Sequence, residues 1–301
     1  MILDDLTEAI GGTPLLRLSR FAPTSPATLY AKLELFNPYS VKDRAVLSML
    51  DAAESRGELS AGGSIVEATS GNTGMALAMI SSVRGYRAIL VMSEIQSIER
   101  RQVLGALGAE VVLTPASGGT KAARAEAKRI ASETGAYYLG QHDDPANPLA
   151  HERTTAEEIW SDTEGAVDVV VAGLGTSGTL MGVARALRSR KPSLRVVGVE
   201  PANSPFISQG LFRPHRIMGT APGFVPGVLD RSELDAIELI TEKEAFASVR
   251  RLARTEGLLV GITGGATAAV AERIAKPGET VVCIVADSGQ RYLSVAGLFD
   301  G

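Results

Sequence analysis

The chain has 301 residues, 45% of them hydrophobic and 21% charged, with a formal net charge of -4 and a pI near 5.6. That is apolar material for one large core or two ordinary ones, which excludes a disordered chain, and the mild acidity argues against a nucleic-acid or anionic-membrane footprint. No apolar run approaches the length of a membrane span, and the opening Met1-Ile2-Leu3-Asp4-Asp5 lacks the basic and apolar regions of a signal peptide, so a cytoplasmic location is expected.

Seven lysines stand among the 30 basic residues, so chemistry that needs an amine has a short candidate list. Lys32 falls in an alternating strand pattern. Lys42 follows Asn37-Pro38-Tyr39-Ser40-Val41, where Pro38 breaks an extended segment and Ser40 can cap the next helix. That puts Lys42 in a first helical turn, where the positive helix end disfavours an ammonium; it is either a surface accident or an amine kept neutral for covalent work. Lys121, Lys128 and Lys276 read as solvated, and Lys191 and Lys243 flank helices.

Beyond Lys42, a strand at 64–68 (SIVEA) runs into Thr69-Ser70-Gly71-Asn72-Thr73-Gly74, a hydroxyl-rich turn that opens a helix from about residue 74 and forms an anion cradle. A strand at 88–92, a helix at 96–107, a strand at 110–113 and a helix at 119–134 follow. The polar, proline-bearing stretch 140–148 (GQHDDPANP) divides the chain into two expected α/β domains, 1–145 and 146–301. The second opens with a strand at 168–172 and the loop Gly173-Leu174-Gly175-Thr176-Ser177-Gly178-Thr179, leading into a helix at 178–190. Glycines let the backbone approach an anion, the helix start offers free N–H groups, and three hydroxyls suit a phosphate. This loop also fits G-x-G-x-x-G, and Glu200 closes the next strand (195–199) 22 residues after Gly178, so an NAD-dependent dehydrogenase is the rival reading. A helix at 264–275 precedes the strand 280–285 (TVVCIV), which buries the single cysteine, Cys283, as a small apolar residue. The chain then reaches Ala286-Asp287-Ser288-Gly289, where pattern alone does not choose between Asp287 and Ser288.

Continuous apolar strands alternating with helices mean parallel sheets buried on both faces, hence two doubly wound α/β domains with a cleft between them. Ligands of such sheets sit beyond the carboxyl ends of the strands, where these loops lie.

In that order and spacing the motifs resemble the fold type II pyridoxal-phosphate enzymes, and within them the cysteine synthase (O-acetylserine sulfhydrylase) and cystathionine β-synthase family. The likeness runs from Ile10-Gly11-Gly12-Thr13-Pro14-Leu15 through the segments 37–44 and 67–74, Pro145-Ala146-Asn147-Pro148 and Glu256-Gly257-Leu258, to Asp287-Ser288-Gly289-Gln290-Arg291-Tyr292. The resemblance implies pyridoxal 5'-phosphate as cofactor, with Lys42 as the lysine that binds it covalently and acts as base. Asn72 matches the partner of the 3′ oxygen. Gly175, Thr176, Ser177, Gly178 and Thr179 match the phosphate cup, and Ser288 the partner of the pyridine nitrogen. Thr69, Ser70, Thr73 and Gln141 match groups around the substrate carboxylate, and Gly219 joins the substrate residues. No metal is implied. The implied reaction is synthesis of L-cysteine from O-acetylserine and sulfide by β-replacement through an α-aminoacrylate, in a homodimer, with a serine acetyltransferase tail as a candidate partner. O-phosphoserine as donor, or another nucleophile giving cystathionine or diaminopropionate-type products, is the alternative.

The sequence also departs from the family. Met218-Gly219-Thr220-Ala221-Pro222-Gly223-Phe224 replaces a more glycine-rich strip, Gly261-Ile262-Thr263-Gly264-Gly265-Ala266 replaces a serine pair, and His142 stands where phenylalanine is common. Arg213, His215 and Arg216 precede the altered strip, and arginine is the residue suited to a phosphate-bearing donor.

Overall fold

Valine- and isoleucine-rich runs gain most when both of their faces are covered, and the chain meets that demand by stacking helices on each side of two sheets. A computed structural model describes residues 2–300 except Ser70, Ser97 and the side chain of Glu99. The chain begins with β1 (Leu15–Arg17) and β2 (Thr28–Leu33), then α1 (Lys42–Ser55) and β3 (Ser64–Ala68). It continues through α2 (Asn72–Arg84), β4 (Arg87–Ser93), α3 (Ile98–Ala106), β5 (Glu110–Thr114), α4 (Gly119–Thr134) and β6 (Tyr137–Tyr138). Then come α5 (Ala146–Arg153), α6 (Thr155–Asp162), β7 (Val169–Gly173), α7 (Gly178–Arg188), β8 (Arg195–Pro201) and the short α8 (Phe206–Gln209). The chain finishes with β9 (Ala236–Ile240), α9 (Glu242–Glu256), α10 (Ile262–Ile274) and β10 (Thr280–Val285).

Two compact units result. The first comprises Met1–Ile10 and Lys42–Asn147, the second Gly11–Val41 and Pro148–Gly301. The first holds a four-stranded sheet, ordered β5-β4-β3-β6 among the described residues, with every pairing parallel. Val66, Ala68, Ile89 and Val91 pack against Ala123 and Ala127 of α4 on one face. On the other face Gly74 of α2 sits against Leu90 and Leu104, so β4 is covered from both sides.

The second unit holds a six-stranded sheet, ordered β1-β2-β10-β7-β8-β9 among the described residues. Its one antiparallel pairing joins β1 to β2, with Leu15 opposite Lys32. Val169, Val197, Val281 and Val285 pack on one face with Val249 of α9 and Ile262 of α10. Val170, Val196 and Val282 pack on the other with Leu180 and Leu187 of α7. The α/β class and double winding therefore hold. The division drawn from the sequence placed residues 11–41 with the first half, whereas β2 runs parallel to β10 from Thr28–Thr280 to Leu33–Val285, which ties that segment to the second sheet. Among the described residues no helix is long and apolar enough to cross a membrane.

Helices α9 and α10 touch where Gly265 leaves no room. A Cβ there would lie 2.4 Å from Val249 Cγ2 and 2.7 Å from the Ala245 carbonyl oxygen. Gly265→Val should force the helices apart and cost roughly 1–3 kcal/mol, as overpacked cores do. Thermal unfolding should show a midpoint lowered by at least about 2 °C; an unchanged midpoint would mean that the contact yields freely.

Candidate active site

In the first unit, Lys42 is the first residue of α1 and is half-buried. A second set of functional side chains gathers where β3 ends. Thr69 N donates to Val91 O at 3.0 Å, which carries the chain off the sheet edge. Helix α2 then starts at Asn72 behind Gly71, which supplies no capping side chain, so the positive end of the helix lies at this turn. Thr69 Oγ1 accepts from Gly71 N at 3.3 Å, steadying the turn. Thr73 is buried and donates to Gln141 Oε1 at 2.6 Å. Asn72, Thr73 and Gln141 thus belong to one structural unit with Lys42; Ser70 lies outside the described residues.

Beneath this turn sits an acid that the sequence reading passed over. Glu67 is buried in β3, and its carboxylate accepts from Ala68 N at 3.0 Å and Gln141 N at 3.3 Å. Burial raises its pKa to about 7, against the opposing pull of the Gln141 backbone and side chain and the Ala68 and Gly140 N–H groups. A glutamate inside the apolar run SIVEA was the signal for it. His142, next to Gln141, is held down to about 4 by burial first, then by Arg124 and Lys42, outweighing the opposite pull of Asp143. At neutral pH it is an uncharged imidazole.

In the second unit the glycine loop is shaped by close approaches. A Cβ on Gly175 would lie 2.1 Å from the Gly219 carbonyl oxygen, so residue 175 must be glycine. Gly219 itself has φ +88°, and Ala221 N donates to Leu174 O at 2.9 Å, fastening the 218–221 strip to the loop. Thr263 Oγ1 donates to Met218 O and Thr220 Oγ1 to Ile217 O, each at 2.6 Å. Ser177, a non-glycine residue at φ 67°, caps α7 without a side-chain capping bond. Its hydroxyl is buried and has no partner among the described residues. Thr179 Oγ1 contacts His151 Nε2 at 3.2 Å, and His151 Nδ1 contacts Thr155 Oγ1 at 2.9 Å. That support was invisible in the sequence, because His151 falls on a different helix with no spacing signal.

Asp287 and Ser288 sit in different surroundings. Asp287 is buried, packs where a Cβ on Gly261 would sit, and accepts from Tyr292 Oη at 2.5 Å. Ser288 is half-buried, and its Oγ accepts only from Gln290 N at 3.3 Å, which leaves its proton to donate.

Other candidates are occupied elsewhere. Glu200, which a dinucleotide would need on its ribose, is buried and accepts from Ile207 N at 2.6 Å and from Ser208 N and Oγ at 3.0 and 2.8 Å. Lys32 is buried on Glu158 at 2.7 Å, and Lys191 pairs with Asp168 at 2.6 Å. Burial in β10 pushes the Cys283 thiol up to about 12, so it is inert at neutral pH.

Comparison with known proteins gives a consistent result. The family model described as pyridoxal-phosphate dependent enzyme matches residues 6–287. An O-ureido-L-serine synthase of Streptomyces lavendulae is 45% identical over 100% of this chain and 94% of its own. A cysteine synthase of Staphylococcus aureus is 42% identical over 97% of this chain and 96% of its own. The crystal structure of an O-ureido-L-serine synthase superposes with a TM-score of 0.96 at 44% identity, covering 100% of this chain and 96% of that one. The cup around Ser177, with its unpartnered hydroxyl and its glycine-only approach at Gly175, fits the phosphate of such a cofactor.

Two predictions follow from this geometry. Ser177→Ala should leave the thermal stability of the cofactor-free protein unchanged or higher, while weakening pyridoxal-phosphate binding about tenfold, the loss of one charge-assisted bond. Fluorescence titration measures the second effect; unchanged affinity would remove Ser177 from the cup. Glu67 should make stability fall with pH. Unfolded, it titrates near 4.5; folded, near 7, so across that window the folded chain keeps a proton that the unfolded chain releases. Stability relative to Glu67→Gln should be greatest below pH 4.5, decline by at most about 1.4 kcal/mol per pH unit towards pH 7, and level off above it. Urea unfolding at several pH values tests the sign.

Proposed function

This chain belongs to the pyridoxal-phosphate dependent enzyme family, as a β-replacement enzyme of the cysteine synthase group, and we propose that its reaction is the formation of L-cysteine from O-acetylserine and sulfide. Bound pyridoxal phosphate supplies the electron sink that allows bonds at Cα and Cβ of an amino acid to break. In this reading Lys42 would hold the cofactor and would serve as the base at Cα of the amino acid. Residues Gly175, Thr176, Ser177, Gly178 and Thr179 hold the phosphate through backbone N–H groups and hydroxyls. Asn72 takes the 3′ oxygen. Ser288, offering a hydroxyl where other sites offer a carboxylate, leaves the ring nitrogen unprotonated, which suits a reaction whose negative charge departs with the β-substituent. Thr69, Ser70, Thr73, Gln141 and Gly219 take the amino-acid substrate. The same resemblance supports a cytoplasmic homodimer and a serine acetyltransferase tail as a candidate protein partner.

The observation that carries the donor is the state of Arg216. Its guanidinium pairs with Glu242 at 2.8 Å, donates to Ala296 O at 2.9 Å and stacks 5.0 Å from the Phe246 ring. An arginine so engaged offers no open fork to a phosphate, which supports an acetyl over a phosphoryl leaving group.

A second reading concerns only the nucleophile. The relative that makes O-ureido-L-serine is 45% identical along this whole chain. Its product bears an oxygen–nitrogen bond on Cβ, which β-replacement would reach with an N-hydroxyurea as nucleophile. His142, uncharged and able both to donate and to accept, gives such a polar nucleophile more to bind than an aromatic hydrocarbon ring would.

Purified holoenzyme given O-acetylserine should release acetate and, with sulfide, cysteine. Sulfide, N-hydroxyurea and homocysteine at equal concentration should rank in that order; a rate confined to N-hydroxyurea would transfer the function to the second reading. Arg216→Ala should leave the O-acetylserine rate nearly unchanged, whereas a preference for O-phosphoserine that collapses in Arg213→Ala would overturn the donor. Lys42→Ala should lower turnover by roughly 10²–10⁴-fold, the usual contribution of a positioned base.

A further inference from the structure

His151 stands behind the 173–179 loop with each ring nitrogen in contact with a hydroxyl. It lies on α5, which can ride directly on α7 because residue 182 is glycine. A Cβ there would meet the Pro148 carbonyl oxygen at 2.2 Å and His151 Cβ at 2.8 Å. That approach puts His151 Nε2 at 3.2 Å from Thr179 Oγ1, in the first turn of α7. Nδ1 lies 2.9 Å from Thr155 Oγ1, at the start of α6. His151 and Thr155 are buried, whereas Thr179 is only half-buried. For each threonine hydroxyl the imidazole is the one hydrogen-bond partner among the described residues.

We infer that Thr155 is a positioning residue for the cofactor phosphate: its hydroxyl fixes the tautomer of His151, and His151 so fixed keeps the Thr179 proton available to the phosphate. The inference rests on the reading of residues 175–179 as the phosphate cup given above. A neutral imidazole donates from one nitrogen and accepts at the other, and a hydroxyl has a single proton to give. With the proton on Nδ1, that nitrogen donates to Thr155 Oγ1, and the Thr155 proton is left buried without an acceptor. Nε2 then takes the Thr179 proton, so Thr179 turns lone pairs toward the cup, the wrong sign for a phosphate dianion. With the proton on Nε2, every donor is used. Thr155 Oγ1 donates to Nδ1, Nε2 donates to Thr179 Oγ1, and the Thr179 proton remains for the phosphate. A buried donor without an acceptor is costly, whereas the half-buried Thr179 hydroxyl reaches solvent by itself, so this tautomer holds with or without cofactor. A doubly protonated ring meets the first objection again, because Nδ1–H still occupies Thr155 Oγ1. The bonds of the favoured form run head to tail, and each polarises the next.

The chain has three histidines, so the ring nitrogens of protein labelled with nitrogen-15 histidine are few enough to assign. Long-range proton–nitrogen correlation spectra tell the two tautomers apart, and the His151 signal is the one that persists in both His142→Asn and His215→Asn. In wild type loaded with pyridoxal phosphate, His151 should be the neutral Nε2–H form. Affinities for pyridoxal phosphate and for pyridoxal, which lacks only the phosphate, are then measured by fluorescence titration. Thr155→Val replaces the hydroxyl by a methyl of the same shape. It should weaken pyridoxal phosphate about tenfold, the worth of one charge-assisted hydrogen bond, and leave pyridoxal within about twofold of wild type. Thr155→Ser keeps the hydroxyl and should match wild type with both ligands. An Nδ1–H or charged His151 in the loaded wild type overturns the role of Thr155. So does wild-type affinity for pyridoxal phosphate in Thr155→Val, an equal loss of both ligands there, or a loss in Thr155→Ser as large as in Thr155→Val. Wild-type protein that binds pyridoxal phosphate no tighter than pyridoxal sinks the reading of the cup itself and takes the relay with it, a different and earlier failure.

Discussion

The carbonyl oxygen of Gly219 stands 2.1 Å from where a Cβ on residue 175 would be, and the architecture of the glycine loop depends on that approach. It ties the loop after β7 to the 217–221 strip, which is itself pinned through Ala221 N, Thr220 and Thr263. Only with the loop held from that side can Ser177 persist at φ 67°, a conformation that costs a non-glycine residue of the order of 1–3 kcal/mol. The same grip buries a hydroxyl without a partner, a further unfavourable term of about 1–3 kcal/mol. Both costs are present in the protein without ligand, so a group held by this loop would meet a site already shaped, with little left to reorganise. The departures from the family at residues 220 and 263 therefore reinforce the loop, since their hydroxyls bond the strip that presses on it.

Local periodicity made much of the fold readable. The helix at 119–134 and the strand at 280–285 fall where the pattern put them, because each is long and strongly apolar on its buried side. The α2 start lies two residues earlier than expected, at Asn72, with Gly71 as the residue before it. Helix α9 went unremarked, although Thr241 and Glu244 form a reciprocal capping box that sequence alone displays. What no local pattern could give was the allegiance of residues 11–41, fixed by pairing between strands about 250 positions apart in the chain.

The functional residues divide along the same line. Glycines and hydroxyls at strand ends pointed to the 173–179 loop and the Thr69 turn as candidates, because their chemistry is local. The different surroundings of Asp287 and Ser288 show only with Gly261 and Tyr292 in space, and the engagement of Glu200 needed the backbone of α8. Glu67 and His151 act through hydrogen bonds to residues 74 and 28 positions away, which spacing rules do not sample. Arg213 and Arg216 are exposed and His142 is half-buried, so exchange at these three positions would leave the cores undisturbed.

The parallel pairing of β2 with β10 also has a consequence for the order in which the molecule forms. Apart from Met1–Ile10, the first unit is a continuous stretch, Lys42–Asn147, and can collapse as soon as it leaves the ribosome. Strand β2 lies before it in the chain, and among the described residues it pairs with the short β1 and with β10, whose residues 280–285 come some 250 positions later. Its hydrogen-bonding edge and apolar faces stay unsatisfied through that interval, with the Lys32 ammonium among them awaiting Glu158. A charge inside a strand is what keeps a waiting edge from pairing with the wrong chain. Closing the six-stranded sheet therefore means bringing together β2 and β10, about 250 positions apart, the kind of long-range pairing that slows folding.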